Sequence, residues 1–528
     1  MKQSSDRPSS RRVQAAGAAG AMALGATALI WAGAAEGRSG DQRASKPPVT
    51  AQQAHTRVYQ PASGQRAKNI ILFIGDGMGV THVDAARARY YGAAGRLNME
   101  RQEAQGSVST YAVEENSTKP DLVTDSASSA TAWSSGVKTY NAALGKDSFG
   151  NIVPTLMEQA KNRGMRTGNV SNAEITDATP AGMVSHVSNR GCQGPDFSAA
   201  ACVRPATGQG SDDAPVAEQI ARNNVADVIL GGGLARFEPD DQEEMEDNGY
   251  RVLGDFGDDA LAAQTADSQR VATRSDLSAT RGPDRRVIGL FNRGNMTVEK
   301  FKRENRDAPQ AQEPSVREMS NKAIELLANS QQGRRKGFLL QVEGALIDKR
   351  SHANDAGQTL EEMKNFDDAV ADAVRYAERR QDTLVIVTAD HECAGFNIIG
   401  KGSFTNAEAA APPINVDAGN TANNSTPPRP GGNVRDAVRS NGPVNGSGSA
   451  NSANFAPATF RTPDDAAGIA DGSPEASLWL SYLSGNHTGA NVNIYASGPQ
   501  STVFDERIDN TDIYGKMRAS LQAFSVNR

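Results

Sequence analysis

Aromatic residues are scarce in this 528-residue chain: Phe, Trp and Tyr make up 5% of it, against 51 glycines. That balance disfavours an all-β protein, which draws on aromatic strand residues, and favours a loop-rich α/β one. Positive charge is not in excess either. A net charge of -7 gives no sign of binding to nucleic acid or to an acidic membrane. No internal repeat is present. Gly231-Gly232-Gly233 lacks both the Lys-Ser/Thr of a phosphate loop and the GxGxxG pattern, so it reads as a turn. The three cysteines leave room for a single local bridge, Cys192 with Cys202, with Cys393 left over and expected to be buried or free. Length allows one large core with insertions, or two or three ordinary domains.

The apolar runs are strand-sized except at the N-terminus. There Arg11 and Arg12 precede a weakly hydrophobic Ala/Gly stretch from Ala15 to Ala35, with Ala32-Gly33-Ala34 as a cleavage site. Residues 1–35 therefore read as a signal peptide, and the paired arginines suit twin-arginine export. An uncleaved anchor is the rival, disfavoured by the Ala and Gly content. Once the signal is cleaved no stable membrane anchor remains, and the protein is expected to be periplasmic or secreted. An exported chain would oxidise Cys192 and Cys202. Residues 36–66 are a polar linker.

Beyond it, apolar runs alternate with helical patterns. Asn69–Gly75, Thr167–Ser171, Asp227–Gly233, Arg285–Phe291, Gly337–Gly344 and the run from Thr383 read as buried parallel strands. Met363, Phe366, Val370 and Val374 repeat at helical spacing, with Glu361 and Glu362 opening that segment and Arg379 and Arg380 closing it. The pattern predicts an α/β fold, a three-layer α/β/α sandwich with a mostly parallel central sheet and surface insertions. Residues 402–475, rich in Asn, Gly, Ala and Pro, read as one such insertion, with structure resuming at Ala476.

The chemistry gathers at strand ends, where open α/β sheets bind ligands. Three runs end in Asp76, Glu343 and Asp390-His391. Asp348 and His352, four apart, can face one point from a helix, and His487 lies between small residues. His55, His82 and His186 read as structural or exposed. Carboxylate with imidazole suits zinc, and an all-oxygen set suits magnesium. In LVTDSASSATAWSSG, Asp125 precedes Ser126 at the start of a small-residue helix. Alone, that is an ordinary N-cap. Beside two metals it is a serine nucleophile toward phosphate.

The segments FIGDGMG, VTDSASSATAWSSGVKTYN, DATPAGMVSHVSNR, VEGALIDKRSH, TADH and HTG, in this order, resemble the alkaline phosphatase family in its bacterial type. The resemblance implies a catalytic domain over 67–528 that hydrolyses phosphate monoesters through a phosphoserine on Ser126. It implies two zinc ions, one on Asp348, His352 and His487, the other on Asp76, Asp390 and His391. It also implies one magnesium, held by Asp76, Asp177, Thr179 and Glu343. Arg190 would bind phosphate by a bidentate fork and Lys349 would reach it through water. Asp177 and Lys349 stand where histidines can occur in the family, and point to magnesium. Homodimers are usual in the family, though no stretch here marks an interface. Cys393 is outside the usual metal set, and only one of the two cysteine pairs often seen is possible. A sulfatase would need a C/S-x-P-x-R setting that Ser126 lacks. A phosphodiesterase of the superfamily usually uses Thr and lacks the third metal set. An exported metal-dependent binding protein would need no nucleophile.

Overall fold

The computed structural model of the chain describes residues 62 and 64–525, except 196–201, 205–212, 258–268, 284, 402–457, 474 and 484. The expected signal, most of the linker and most of the insertion lie outside those residues. Apart from a two-stranded ladder of Ala112–Val113 with Pro120–Asp121, the strands in chain order are β1 (Asn69–Gly75), β2 (Ala104–Ser109), β3 (Arg166–Glu174), β4 (Val228–Gly232), β5 (Tyr250–Leu253), β6 (Arg286–Leu290), β7 (Phe338–Gly344) and β8 (Thr383–Thr388). Short strands follow: β9 (Glu392–Cys393), β10 (Asn397–Ile398), β11 (Ala458–Phe460), β12 (Leu478–Ser481) and β13 (His487–Thr488). The last two are β14 (Val492–Ser497) and β15 (Arg507–Asp509).

Ten of these form one sheet, in the order β15-β2-β14-β8-β1-β7-β3-β4-β6-β5. Among these described strands only β14 runs against the others. The three central neighbours β8, β1 and β7 are buried at every residue, which is why their sequences are unbroken apolar runs rather than alternating ones.

Seven helices matter here: α1 (Val80–Tyr91), α2 (Ser126–Ser135), α3 (Ala178–Ala181), α4 (Val316–Asn329), α5 (Leu346–His352), α6 (Ala356–Arg380) and α7 (Asn510–Ser520). Strand alternation sorts them into layers. On one face, Gly168 of β3 lies against Leu327 of α4 and Leu340 of β7, and Gly344 lies against Phe366 of α6. One residue after Leu340, Gln341 points the other way and accepts a 3.0 Å hydrogen bond from Trp133 of α2. Helix α7 packs on α2 in that second layer. The sheet between two helical layers is the sandwich expected from the sequence.

Two details differ from the expectation. Helix α6 starts at Ala356, a turn before Glu361 and Glu362, because Asp355 caps it by accepting from Gln358 N at 3.0 Å. Glu362 is instead buried against Asn172 and the Glu299 amide, and burial pushes its carboxyl up to about 8. Regular structure is also present at Ala458, before the Ala476 expected from the sequence. Ala458 and Phe460 are buried in β11, which pairs with β12 as β10 does on its other side. A three-residue strand is too short for its periodicity to show in the sequence.

Candidate active site

Parallel pairing sets the site. Ile74 of β1 is in register with Thr388 of β8 and with Glu343 of β7. Asp76 and Asp390 thus each stand two residues beyond an in-register pair of adjacent strands, with Glu343 level with that pair on the other side of β1. The bend after β1 needs glycine. Gly77 has φ +67°, and a Cβ there would lie 2.8 Å from both Asp348 Oδ1 and the Cys393 Cβ. The Gly77 amide donates to Asp390 Oδ1 at 2.9 Å, fixing that carboxylate.

Helix α5 carries Asp348 and His352 on one face, with Nε2 of His352 3.2 Å from Asp348 Oδ2. His487 arrives on β13, its Nε2 3.6 Å from Asp348 Oδ1 and 3.1 Å from Nε2 of His352. Each ring is held at Nδ1 by a backbone carbonyl, His352 by Gly485 and His487 by Thr124. With N–H on Nδ1, the two Nε2 lone pairs face each other, an arrangement a cation relieves. Mutual spacings of 3.1–3.6 Å suit donors about 2 Å from a tetrahedral zinc. Cys393 belongs to the same cluster: its donor atom and those of Asp348, His352 and His487 all lie within 4.8 Å of one another.

Asp76, Asp390 and His391 form a second cluster of the same tightness. Nε2 of His391 lies 3.0 Å from Asp390 Oδ2 and 3.8 Å from Asp76 Oδ1. Ser126 Oγ lies 3.3 Å from that same nitrogen. The two clusters adjoin, for the rings of His391 and His487 stack at 3.5 Å.

Ser126 opens α2, and Asp125 caps it, its Oδ1 accepting from Ser128 N at 2.9 Å. Asp125 does more than the sequence indicated. Its Oδ2 also accepts from Ala142 N at 3.0 Å and from Arg190 Nη1 at 3.2 Å. Arg190 gives Nη2 to Asp177 Oδ1 at 2.8 Å, and Lys349 gives Nζ to Asp177 Oδ2 at 2.7 Å. Nothing in local sequence pattern ties Asp125 to Arg190, because only the tertiary fold brings them together.

Asp177, Thr179 and Glu343 do not join Asp76 in a third cluster as tight as the other two. They share its buried region: Gln341 Nε2 donates to the Thr179 carbonyl at 2.9 Å, and Glu343 accepts from Ser171. Thr179 Oγ1 and Asp76 Oδ1 have no hydrogen-bond partner among the described residues. Looser oxygen donors fit magnesium, which keeps several of its waters.

Five buried carboxylates, Asp76, Asp177, Glu343, Asp348 and Asp390, face two fixed cations, Arg190 and Lys349. The imbalance shows in the protonation. Burial, then Asp390 and Asp348, drive Asp76 well above the usual carboxylate range, and burial pushes Glu343 up to about 7. Against the cost of burial, Lys349 and Arg190 hold Asp177 down, and His352 and His487 hold Asp348 down. Such a pocket is short of positive charge, which metal ions would supply.

The other histidines lie elsewhere. His82 is buried, 3.0 Å from Ser351 Oγ, and His186 bonds Gly145 O and Glu158. His55 lies outside the described residues. Cys192 and Cys202 are joined by a disulfide, and Cys393 is free and buried.

Comparison with known proteins gives a consistent result. The model of the alkaline phosphatase family matches residues 67–523. The alkaline phosphatase of Escherichia fergusonii is 41% identical over 352 residues, 62% of this chain and 70% of that protein. The streptomycin-6-phosphate phosphatase of Streptomyces griseus is 40% identical over 363 residues, 65% of this chain and 77% of its own. Among solved structures, a mutant alkaline phosphatase of the Antarctic bacterium TAB5, with magnesium bound, superposes with a TM-score of 0.57 at 23% identity. It covers 88% of this chain and 99% of the other, and at that identity supports the fold alone.

Proposed function

The chain belongs to the alkaline phosphatase family and is a phosphatase, and from that premise we propose that it hydrolyses phosphate monoesters through a phosphoserine on Ser126. The observation that carries this reading is the position of Ser126: a helix N-terminus, its Oγ 3.3 Å from His391 Nε2, where the two clusters adjoin. Asp348, His352 and His487 would hold one zinc and Asp76, Asp390 and His391 the other. Asp177, Thr179, Glu343 and Asp76 would hold magnesium, the ion also bound in the TAB5 relative. When bound, the metals would lower the pKa of the serine hydroxyl and of water, and neutralise charge on the entering and leaving oxygens.

The protein's own groups do the rest. Ser126 gives up its hydroxyl proton and Oγ attacks phosphorus in line, and the ester oxygen leaves and takes up a proton as the alcohol. Water then attacks from the side the alcohol left, breaking the Oγ–P bond and restoring the serine hydroxyl as inorganic phosphate is released. The amides at the start of α2 offer donors and a positive dipole end to the phosphoryl oxygens. Arg190, gripped by Asp125 and Asp177, has its guanidinium plane fixed before substrate arrives, so little ordering is left to do in the transition state. Lys349, on the far oxygen of Asp177, adds a second positive charge beside Arg190.

Export by the twin-arginine signal over 1–35 belongs to the same reading. It would deliver a folded protein to an oxidising compartment, in keeping with the Cys192–Cys202 bridge. Among the described residues no helix is long and apolar enough to cross a membrane.

The test is turnover of an aryl phosphate, an aryl phosphodiester and an aryl sulfate, before and after chelation and again after zinc is restored. The monoester should be the fast substrate, lost on chelation and regained with zinc. A faster diester or sulfate ester, or activity indifferent to chelation, would refute the reading.

A further inference from the structure

Cys393 is not among the donors that the family pattern implies, yet the fold delivers it to one of the two clusters. It sits on β9, and its register partner across the antiparallel ladder is His487 on β13. Directly paired residues of such a ladder project to the same face, so imidazole and thiol stand side by side. The thiol is completely buried and lies 3.8 Å from the Asp348 carbonyl. Its sulfur and the donor atoms of Asp348, His352 and His487 are mutually within 4.8 Å. Residue 77 is glycine, with no side chain to come between Cys393 and Asp348. The second cluster, Asp76, Asp390 and His391, has no such sulfur.

We propose that Cys393 Sγ is a fourth protein donor to the metal held by Asp348, His352 and His487. The inference rests on the two-metal reading above and adds one ligand to it. On loading, the S–H proton passes to solvent and a metal–sulfur bond forms, so the site becomes one carboxylate, two imidazoles and a thiolate. That donor set is a tetrahedral zinc environment, and its soft ligand selects zinc over magnesium or manganese at this position. A substrate oxygen arriving there must either add as a fifth ligand or displace a protein donor, unlike at a site left open by three ligands.

Loss of affinity alone would not prove ligation, because removing a group that merely supports a ligand also weakens metal binding by about 10–100-fold. A sulfur–metal bond has its own optical signature. The full-length protein, stripped by chelator and titrated with cobalt(II), should show visible d–d bands and a near-ultraviolet sulfur-to-cobalt charge-transfer band that saturates with one equivalent. Cys393 is the only cysteine outside a disulfide, so the band has one cysteine source. Cys393→Ser and Cys393→Ala should lose the band while keeping cobalt d–d absorption. Two variants guard against one that fails to fold, and the wild-type spectrum is decisive without either. Saturated d–d bands with no charge-transfer band in wild type would overturn sulfur ligation and leave the two-metal reading standing. A band that persists in the variants would overturn it equally. Failure of wild type to take up cobalt would overturn both.

Discussion

Asp177 shows how far a single carboxylate organises this site. It accepts from Arg190 on one oxygen and from Lys349 on the other, so the two cations are placed by a residue that the sequence assigned only to magnesium. Removing Arg190 should do two things. It would delete the proposed fork toward phosphate, and it leaves Asp125 and Asp177 each short of a charged partner in a buried place. Arg190→Ala should cut kcat/KM by roughly ten- to a hundredfold, the cost of about 1.5–3 kcal/mol for charged hydrogen bonds, and weaken inhibition by inorganic phosphate. Arg190→Lys should recover only part, because one ammonium cannot span Asp125 and Asp177 and still present a fork. Steady-state kinetics with phosphate as inhibitor checks both. Unchanged phosphate inhibition in the two variants would remove Arg190 from the site. Of the proposed metal donors, Asp76, Glu343, Asp390 and His391 were legible because they end apolar runs, and Asp348 and His352 because of their helical spacing, whereas His487 showed only as a histidine between small residues and Asp177 and Thr179 only through the family resemblance. Asp125 to Arg190, His487 to Thr124 and Cys393 to His487 were not legible, since each is a contact between distant segments with no local signature.

Between elements, a joint that holds α2, the helix opened by Ser126, is Lys138. It lies just past α2, fully buried, and binds Tyr111 O and Asn510 Oδ1 at 2.6 Å each, with Asp509 Oδ2 at 3.2 Å. Asp509 caps α7, which packs on α2, so this ammonium ties the two helices together. Burial lowers the Lys138 pKa to about 8, against 10.5 for an ordinary lysine. The sign follows from linkage. Between those values the unfolded chain binds the proton and the folded protein does not, so this group makes folding more favourable as pH rises. Stability should therefore gain from Lys138 between pH 8 and 10, before tyrosine ionisation intervenes. Denaturant midpoints measured across that range should show a rise in wild type that Lys138→Met flattens. An identical slope in both would show that Lys138 is not the titrating group. The central strands of this scaffold were readable as unbroken apolar runs and α6 by its helical spacing, whereas β2, with its mixed burial, and the four-residue β5 gave no such signal. The start of α6 and the strand β11 were not readable, because a cap and a three-residue strand carry too little pattern.

For the molecule as a whole, the question is whether 402–457 matters to the metal site. Its flanks answer part of it. Ile398 of β10 and Ala458 of β11 both pair with Leu480, one on each side. Those two positions are therefore about two strand spacings apart, roughly 10 Å, a gap that a short Gly/Ser linker crosses. Replacing 403–456 with such a linker should leave the fold, the zinc content and turnover of a small aryl phosphate within a few-fold of wild type. Metal analysis and kinetics on the purified deletion protein check this. A folded deletion protein without zinc would mean that the segment builds the site. The deletion must stop short of Ala458, because β11 belongs to the core and not to the insertion. The proposed chemistry of the whole molecule turns on one oxygen atom, Ser126 Oγ. Acid-quenching the zinc-loaded protein during turnover and mapping phosphate by peptide mass spectrometry tests it directly. Phosphate is expected on Ser126 in wild type, and none in Ser126→Ala or after chelation, with turnover of Ser126→Ala largely lost. Phosphate on another residue, or Ser126→Ala turning over at the wild-type rate, would contradict it.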